Sequence, residues 1–572
     1  MKKTLKKRKK KTNITLKNFK QYAKLSNTAV TNTWWSPFLK DEFAKYTNLS
    51  PFELKNTLIH LAKTNRKVDN YTTFLNAGRG NPNFFNSFVR KCYTRLQSAC
   101  IDITSNVQEP PGISGITDIK VYPLENKELF KKQIFKNLKG APAREKEFIM
   151  SYLNYLEKSS SNKNKNEIIH DVVLSMIGCF YPSPPQIQPH LNVVSKDFMF
   201  NLIFNNKKTT EKKEDYEYFA TEGAAAGILY VFNTLHLNGL LNPGDTIAVI
   251  TPIFSPYLEM PLLKRYKLKI LSLEGRPNEE WSLSNSQLDE LKDKKIKALF
   301  MVNPANPGGF SLPKHNIDKI GEIVNSVRKD LIILSDNVYA PFANEYNSLL
   351  DSCPKNTIEV YSLSKFFGTT GWRLGIAMIR KENRLNDLIK NLPKNKKDEL
   401  INRYSITSVT PDDIPFMQRL VYDSRQVCEA HVGGLSTPQQ AMMALMFYYV
   451  LHDKTGSYKK QIQQILKYRM ELLYSELKTT VTITDRSTNY YNLLNIPQVT
   501  ENLFGRDART KIEKTNFIHF LFNLAKKYKT VLLPGIGFGA PDFYIRVSLA
   551  NLVTNEYKMI SKNIKSCIQD FI

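Results

Sequence analysis

The sequence predicts an α/β fold, with a large domain built on a mainly parallel sheet flanked by helices and a smaller α+β domain. Three observations carry that expectation. Short apolar runs suited to strands buried on both faces recur in the middle of the chain, at Thr246 to Ile250, Ala298 to Val302, Leu331 to Leu334, Ile358 to Tyr361 and Leu374 to Ile379. Segments of helical period alternate with them: Ala226 to Gly239 precedes the first, His315 to Arg328 lies between the second and third, and Arg384 to Asn391 follows the last. Beyond Leu435 the pattern changes to long helices, Gln439 to Leu451 and Tyr458 to Leu477, then to strand-like pieces at Val531 to Leu533 and Tyr544 to Ser548.

A length of 572 residues suits two or three domains. The expected boundaries are a basic extension over 1–48, an N-terminal part of the small domain with insertions over 49–194, the large domain over 195–438 and the C-terminal small domain over 439–572. Within the extension, Trp34 and Trp35 could dock it onto the body. Ser50-Pro51-Phe52-Glu53 opens a helix: Ser50 caps, Pro51 suits the first turn, and Glu53 stands at capping-box spacing. The lysine-rich stretches Glu157 to Asn166 and Asn205 to Asp215 read as surface loops.

Composition excludes several classes. The longest apolar stretch, Ala441 to Leu451, is shorter than the roughly 20 residues that cross a bilayer, so it reads as a buried helix. The basic N-terminus is not followed by the apolar segment of a secretory signal. Six scattered cysteines lack metal-ligand spacing and fit a reducing compartment, and the expected location is the cytoplasm. The net charge of +28 is spread along the chain, and no nucleic-acid-binding motif accompanies it. A solvated lysine-rich surface accounts for it better than a nucleic-acid partner.

Ligands of open α/β sheets gather where strands end. Three successive runs here lead into polar residues: Asn306 follows the first, Asp336 and Tyr339 the second, and Ser362, Ser364 and Lys365 the third. A lysine in so basic a chain is ordinarily solvated, and Asn-Pro pairs ordinarily mark turns. The order and spacing of all the elements together set those defaults aside. The set offers an amine, a carboxylate for a ring nitrogen and hydrogen bonds for a ring hydroxyl, which is what a pyridine aldehyde phosphate requires. Lys365 supplies the amine that bonds the aldehyde and then moves a proton at the substrate α-carbon. Asp336 keeps the ring nitrogen protonated, and Asn306 and Tyr339 bond the ring oxygen. For the phosphate, Gly223, Ala224 and Ala225 open a helix, Ser362 and Ser364 offer hydroxyls, and Arg373 offers a guanidinium.

With these residues the chain resembles the class I and II aminotransferase family of fold type I pyridoxal-phosphate enzymes, from about Ser50 to the C-terminus. Within that family it is similar to the group of bifunctional aspartate aminotransferases and L-aspartate 4-decarboxylases. The carrying segments are SPFELK from Ser50, FLNAGRGNPN from Phe74, FATEG from Phe219, SLSKFFGTTGWRLG from Ser362, GLSTPQQ from Gly434 and LLPGIGFGAPDFYIRVSLANL from Leu532. The resemblance implies pyridoxal 5'-phosphate as cofactor, Phe254 stacked on its ring, and Arg546 gripping the substrate α-carboxylate. It also implies that Gly78 and Arg79 lie in the loop facing the substrate, Arg79 being assigned to the side-chain carboxylate. Lys55 matches a family lysine of less defined role, and Tyr181 a tyrosine that reaches the neighbouring subunit's site. A homodimer at least, acting on small amino and keto acids, is implied.

Departures from the family pattern are the hydroxyl-free Ala224 and Ala225, Gly308-Gly309 in place of Thr-Gly, and Asn337 after Asp336. The expected reaction is β-decarboxylation of L-aspartate to L-alanine and CO₂, with transamination to 2-oxoglutarate beside it. Its main rival is a plain aminotransferase, and a remoter one a nucleic-acid-binding regulator that keeps an aminotransferase-like domain.

Overall fold

The computed structural model describes residues 49–64, 73–107, 117–119, 128–160, 165–204, 209–426 and 433–572. The basic extension, with Trp34 and Trp35, lies outside them, as do 161–164 and 205–208 of the two lysine-rich stretches. The fold is α/β, with a mixed, mainly parallel sheet flanked by helices. The chain forms two compact units, one from Met1–Asn83, Leu240–Asn356 and Lys459–Ile572, the other from Phe84–Gly239 and Thr357–Tyr458.

In the first unit four parallel strands lie in the order Ile332–Asp336, Ile296–Val302, Thr246–Thr251, Lys269–Glu274. The three predicted runs among them are β-branched and aliphatic, and nearly all their residues are buried, as strands covered on both faces must be. The fourth, KILSLE, has an interrupted burial pattern, and its apolar period is too broken to predict it. Helix Lys314–Ser326 covers this sheet by burying Ile317, Ile320 and Val324, spaced as one helical face. A second sheet in the same unit is antiparallel, with Tyr544–Ser548 between Tyr491–Asn495 and Leu533–Pro534. The predicted run Val531 to Leu533 is split: Thr530–Val531 pairs in parallel with Leu75–Asn76 instead. That pairing brings the FLNAGRGNPN segment to the C-terminal sheet.

In the second unit strand Gly375–Arg380 runs antiparallel to both Thr357–Ser362 and Tyr216–Thr221. The apolar pattern does not predict the Tyr216–Thr221 strand, which leads into the helix at Ala224–Leu237. The helices Ser87–Thr104, Ala143–Ser159, Lys165–Ile177, Pro189–Phe204 and Thr437–His452 also belong here. The first and last parts of Glu157 to Asn166 are therefore helical rather than loop. Thr437–His452 is buried almost all round, matching its uninterrupted apolar sequence. Ser50 accepts a hydrogen bond from Glu53 N at 3.4 Å, as a capping residue of helix Pro51–Thr64. Among the described residues no helix is long and apolar enough to cross a membrane, and no cluster of metal-ligating side chains occurs. The five described cysteines are free; Cys428 lies outside the described residues.

Candidate active site

In the first unit, Asp336 ends its strand with its side chain shielded from water and accepts a hydrogen bond from the Tyr257 hydroxyl at 2.8 Å and from Val338 N at 3.1 Å. Burial, and then the Asp336 charge, push the Tyr257 hydroxyl well above the usual tyrosine range, so it remains a donor. Phe254 meets Tyr257 edge-on at 5.2 Å and Phe52 at 5.7 Å. Asn306, in the turn after strand Ile296–Val302, donates from Nδ2 to the Tyr339 hydroxyl at 3.3 Å. Burial and the neighbouring Tyr491 and Tyr490 hold Tyr339 protonated as well.

Arg546 is carried by strand Tyr544–Ser548 and is 1% exposed. Its Nη2 donates to Gly78 O at 2.9 Å and its Nη1 lies 3.4 Å from Asn306 Oδ1. Its Nε has no hydrogen-bond partner, and among the described residues no carboxylate pairs with it. Aromatic rings flank the guanidinium instead, Phe538 at 4.5 Å and Tyr491 at 4.7 Å. Burial lowers its pKa, the penalty for a cation without an anion.

The loop carrying Gly78 and Arg79 is held by backbone and side-chain bonds within the same unit. Ser548 N donates to Ala77 O at 2.9 Å, the Tyr490 hydroxyl to Gly80 O at 2.8 Å, and Asn83 N to Ala550 O at 2.7 Å. Arg469 donates to Asn83 Oδ1 at 2.9 Å and Leu549 O at 2.9 Å, which ties the far end of the loop to the same sheet. Arg79 itself is exposed. Lys55 is half-buried, and its pKa is lowered by burial and then by the positive charges of Arg79 and Arg546, against a smaller opposing effect of Glu53. Among the described residues neither Lys55 nor Arg79 forms an ion pair. Three cations thus share one electrostatic neighbourhood with little acid to balance them.

In the second unit, Lys365 is half-buried in the turn that follows strand Thr357–Ser362. That turn is fixed at Gly368, φ +64, where a Cβ would stand 2.1 Å from Phe84 O, and where Arg90 donates to Gly368 O at 2.7 Å. Ser362 Oγ lies 2.9 Å from Ser364 Oγ and 3.2 Å from Leu374 O, with its one proton shared between the two acceptors. Gly223 precedes helix Ala224–Leu237 at φ +87, a conformation that side chains rarely adopt. A Cβ there would stand 2.6 Å from Arg373 Nη2, which donates to Glu222 O at 3.2 Å. Ala224 and Ala225 contribute first-turn N–H groups, which have no partner inside a helix. Tyr181 is 73% exposed.

The predicted residues therefore fall into two sets. Asn306, Asp336, Tyr339, Gly78, Arg79, Arg546, Lys55 and Phe254 belong to the first unit; Gly223, Ala224, Ala225, Ser362, Ser364, Lys365, Arg373 and Tyr181 belong to the second. Sequence reasoning misses Tyr257, Tyr490 and Tyr491. Tyr257 stands three residues after Phe254, a spacing that could have pointed to it; the adjacent tyrosines carry no motif.

Residues 180–564 match the family described as aminotransferase class I and II. The chain is 35% identical over 537 residues to the bifunctional aspartate aminotransferase and L-aspartate beta-decarboxylase of a Pseudomonas species, spanning 92% of this chain and 97% of that relative. An aspartate aminotransferase of Sulfolobus acidocaldarius is 31% identical over 184 residues, 32% of this chain and 44% of its own. Among solved structures, a single mutant of the Thermus thermophilus aspartate aminotransferase superposes with a TM-score of 0.55 at 15% identity, covering 93% of this chain and 98% of that one. The last likeness speaks for the fold alone.

Proposed function

The chain belongs to the class I and II aminotransferase family, and from that premise we propose that it converts L-aspartate to L-alanine and CO₂, with aspartate:2-oxoglutarate transamination as a second outcome. The observation that carries the substrate class is the acid-poor cluster of Arg546, Lys55 and Arg79. A fully buried guanidinium without a carboxylate is costly, and an incoming carboxylate offsets that cost with two-pronged geometry. Lys55 and Arg79 provide for a second carboxylate, which fits a dicarboxylic amino acid. The long relative from Pseudomonas and the loop sequence GRGNPN support decarboxylation over transamination alone.

The residues fit pyridoxal phosphate on their own chemistry. Gly223, the first turn of helix Ala224–Leu237, Ser364 and Arg373 suit a phosphate dianion, since Gly223 leaves its Cβ space to a guanidinium and the helix start offers N–H groups. Asp336, which accepts from the Tyr257 hydroxyl, suits a protonated ring nitrogen, and Asn306 with Tyr339 a ring oxygen. Phe254 offers its face to the ring. When bound, the cofactor supplies an electron-withdrawing ring that takes up the electron pair released at the α-carbon. Lys365 is its covalent anchor and, once displaced by substrate, moves the α-proton.

Arg546 orients the α-carboxylate, while Lys55 and Arg79 hold the β-carboxylate until its bond to Cβ breaks. The electron pair of that bond stays with the substrate, Cβ gains a proton, and CO₂ leaves. A second copy of the chain belongs to this reading, with exposed Tyr181 directed to its partner's site.

Incubation of the purified protein with aspartate and pyridoxal phosphate tests the proposal. Alanine and CO₂ in equal amounts are expected, whereas oxaloacetate formed only in step with added 2-oxoglutarate, without CO₂, would leave a plain aminotransferase. Turnover in neither assay, with salt-sensitive binding to duplex DNA, would favour the regulator.

A further inference from the structure

Two buried tyrosine hydroxyls, those of Tyr339 and Tyr491, lie 3.3 Å apart, 152 residues distant in sequence. Tyr339 also receives the Asn306 Nδ2 bond at 3.3 Å. Among the described residues, the Tyr491 hydroxyl has no other hydrogen-bond partner, and Tyr491 is 3% exposed. A phenol has one proton to give and two lone pairs to fill. With Tyr339 donating to Tyr491, the proton of Tyr491 has no acceptor among the described residues, and an unmet buried donor is costly. The arrangement that satisfies both hydroxyls is the reverse. Tyr491 donates to Tyr339, Asn306 fills the second lone pair, and the Tyr339 proton turns to an oxygen brought by a ligand.

We propose that Tyr491 is a positioning residue that commits Tyr339 to donate its proton to the cofactor's ring oxygen. This rests on the assignment of Tyr339 to that oxygen under the proposed function. The same side chain also lies against Arg546, ring centroid to guanidinium 4.7 Å, so its ring belongs to the substrate-carboxylate pocket and its hydroxyl to the cofactor. The two parts can be separated, because Tyr491→Phe keeps the ring and removes the hydroxyl. The charged and titratable groups around Tyr339 are Tyr490, Tyr491, Asp336 and Arg546. Tyr490 makes a useful contrast: it packs on Tyr339 at 5.2 Å, but its hydroxyl serves Gly80 O.

The test is a spectrophotometric pH titration of the bound cofactor in the holoenzyme, for wild type, Tyr491→Phe, Tyr490→Phe, Tyr339→Phe and the Tyr339→Phe/Tyr491→Phe double variant. Loss of the Tyr491 hydroxyl weakens Tyr339 as a donor and so destabilises the anionic ring oxygen. The apparent pKa of the absorbance change is expected to rise by roughly half a unit to one unit in Tyr491→Phe. It should stay in place in Tyr490→Phe, and Tyr491→Phe should add nothing once Tyr339 is Phe. KM for aspartate should remain within about twofold of wild type, since the ring against Arg546 is retained. An unshifted Tyr491→Phe, an equal shift in Tyr490→Phe, or the same shift in the Tyr339→Phe background would overturn the proposal. A wild-type protein with no cofactor band at all would instead overturn the underlying reading, and this proposal with it.

Discussion

Arg328 and Arg546 lie in the same unit and are shielded from water to the same degree, at 0% and 1% exposure, yet their surroundings differ. Arg328 donates from Nη1 to Leu291 O at 2.7 Å and from Nη2 to Ile296 O at 2.6 Å. Its Nε and Nη2 also grip the two oxygens of Asp330 at 3.0 and 2.9 Å. Arg546 has one good carbonyl bond, one long contact to an amide, an idle Nε and two aromatic walls. An arginine buried to hold the fold brings its acceptors with it. An arginine buried without them bears an uncompensated desolvation cost, which under the proposed function the substrate carboxylate offsets.

Substitution by leucine should separate the two sharply. Arg546→Leu is expected to lower kcat/KM for aspartate by about 10²- to 10³-fold, the range for removing one partner of a buried charge pair. The ligand-free protein should melt no earlier than wild type, because an uncompensated cation has been removed. Arg328→Leu should do the reverse, costing about 3 kcal/mol of stability in denaturant titration while leaving the turnover of folded molecules intact. Equal melting losses for both variants would break the contrast.

A smaller effect is expected at Asp336. Tyr257→Phe removes a hydrogen bond that holds its carboxyl in place, and cofactor dissociation should increase about tenfold, measured by equilibrium dialysis, with KM for aspartate little changed. The smallest effect concerns protons. Lys55 sits below its ordinary value because of burial, Arg79 and Arg546. A bound dicarboxylate adds negative charge and raises it again, so binding takes up protons, and affinity falls as pH rises through the depressed value of the free protein. Calorimetry of succinate binding in buffers of different ionisation enthalpy should show that uptake in wild type and its loss in Lys55→Met.

Much of the fold, and the residues of the candidate site, are legible in the sequence. The strands ending at Val302, Asp336 and Ser362 are visible as apolar runs, and the residues following them stand out as site candidates because strand ends are where polar groups converge. Strands Tyr216–Thr221 and Lys269–Glu274 escape notice because tyrosine, glutamate and lysine interrupt their apolar pattern. The tyrosines around Arg546 escape for another reason. Tyr491 reaches Tyr339 and Arg546 only through the pairing of strand Tyr491–Asn495 with Tyr544–Ser548, a long-range contact that no local period encodes. The idle Nε of Arg546 is a property of what surrounds it, and no motif spells out an absence of that kind.

Every proposed role of the other residues depends on Lys365 as the covalent anchor. Reduction of the cofactor-loaded protein with borohydride, followed by peptide mass mapping, should place a reduced pyridoxyl-phosphate adduct on Lys365 and leave Lys365→Ala unlabelled. Labelling at another lysine in wild type, or none anywhere under saturating cofactor, would contradict it.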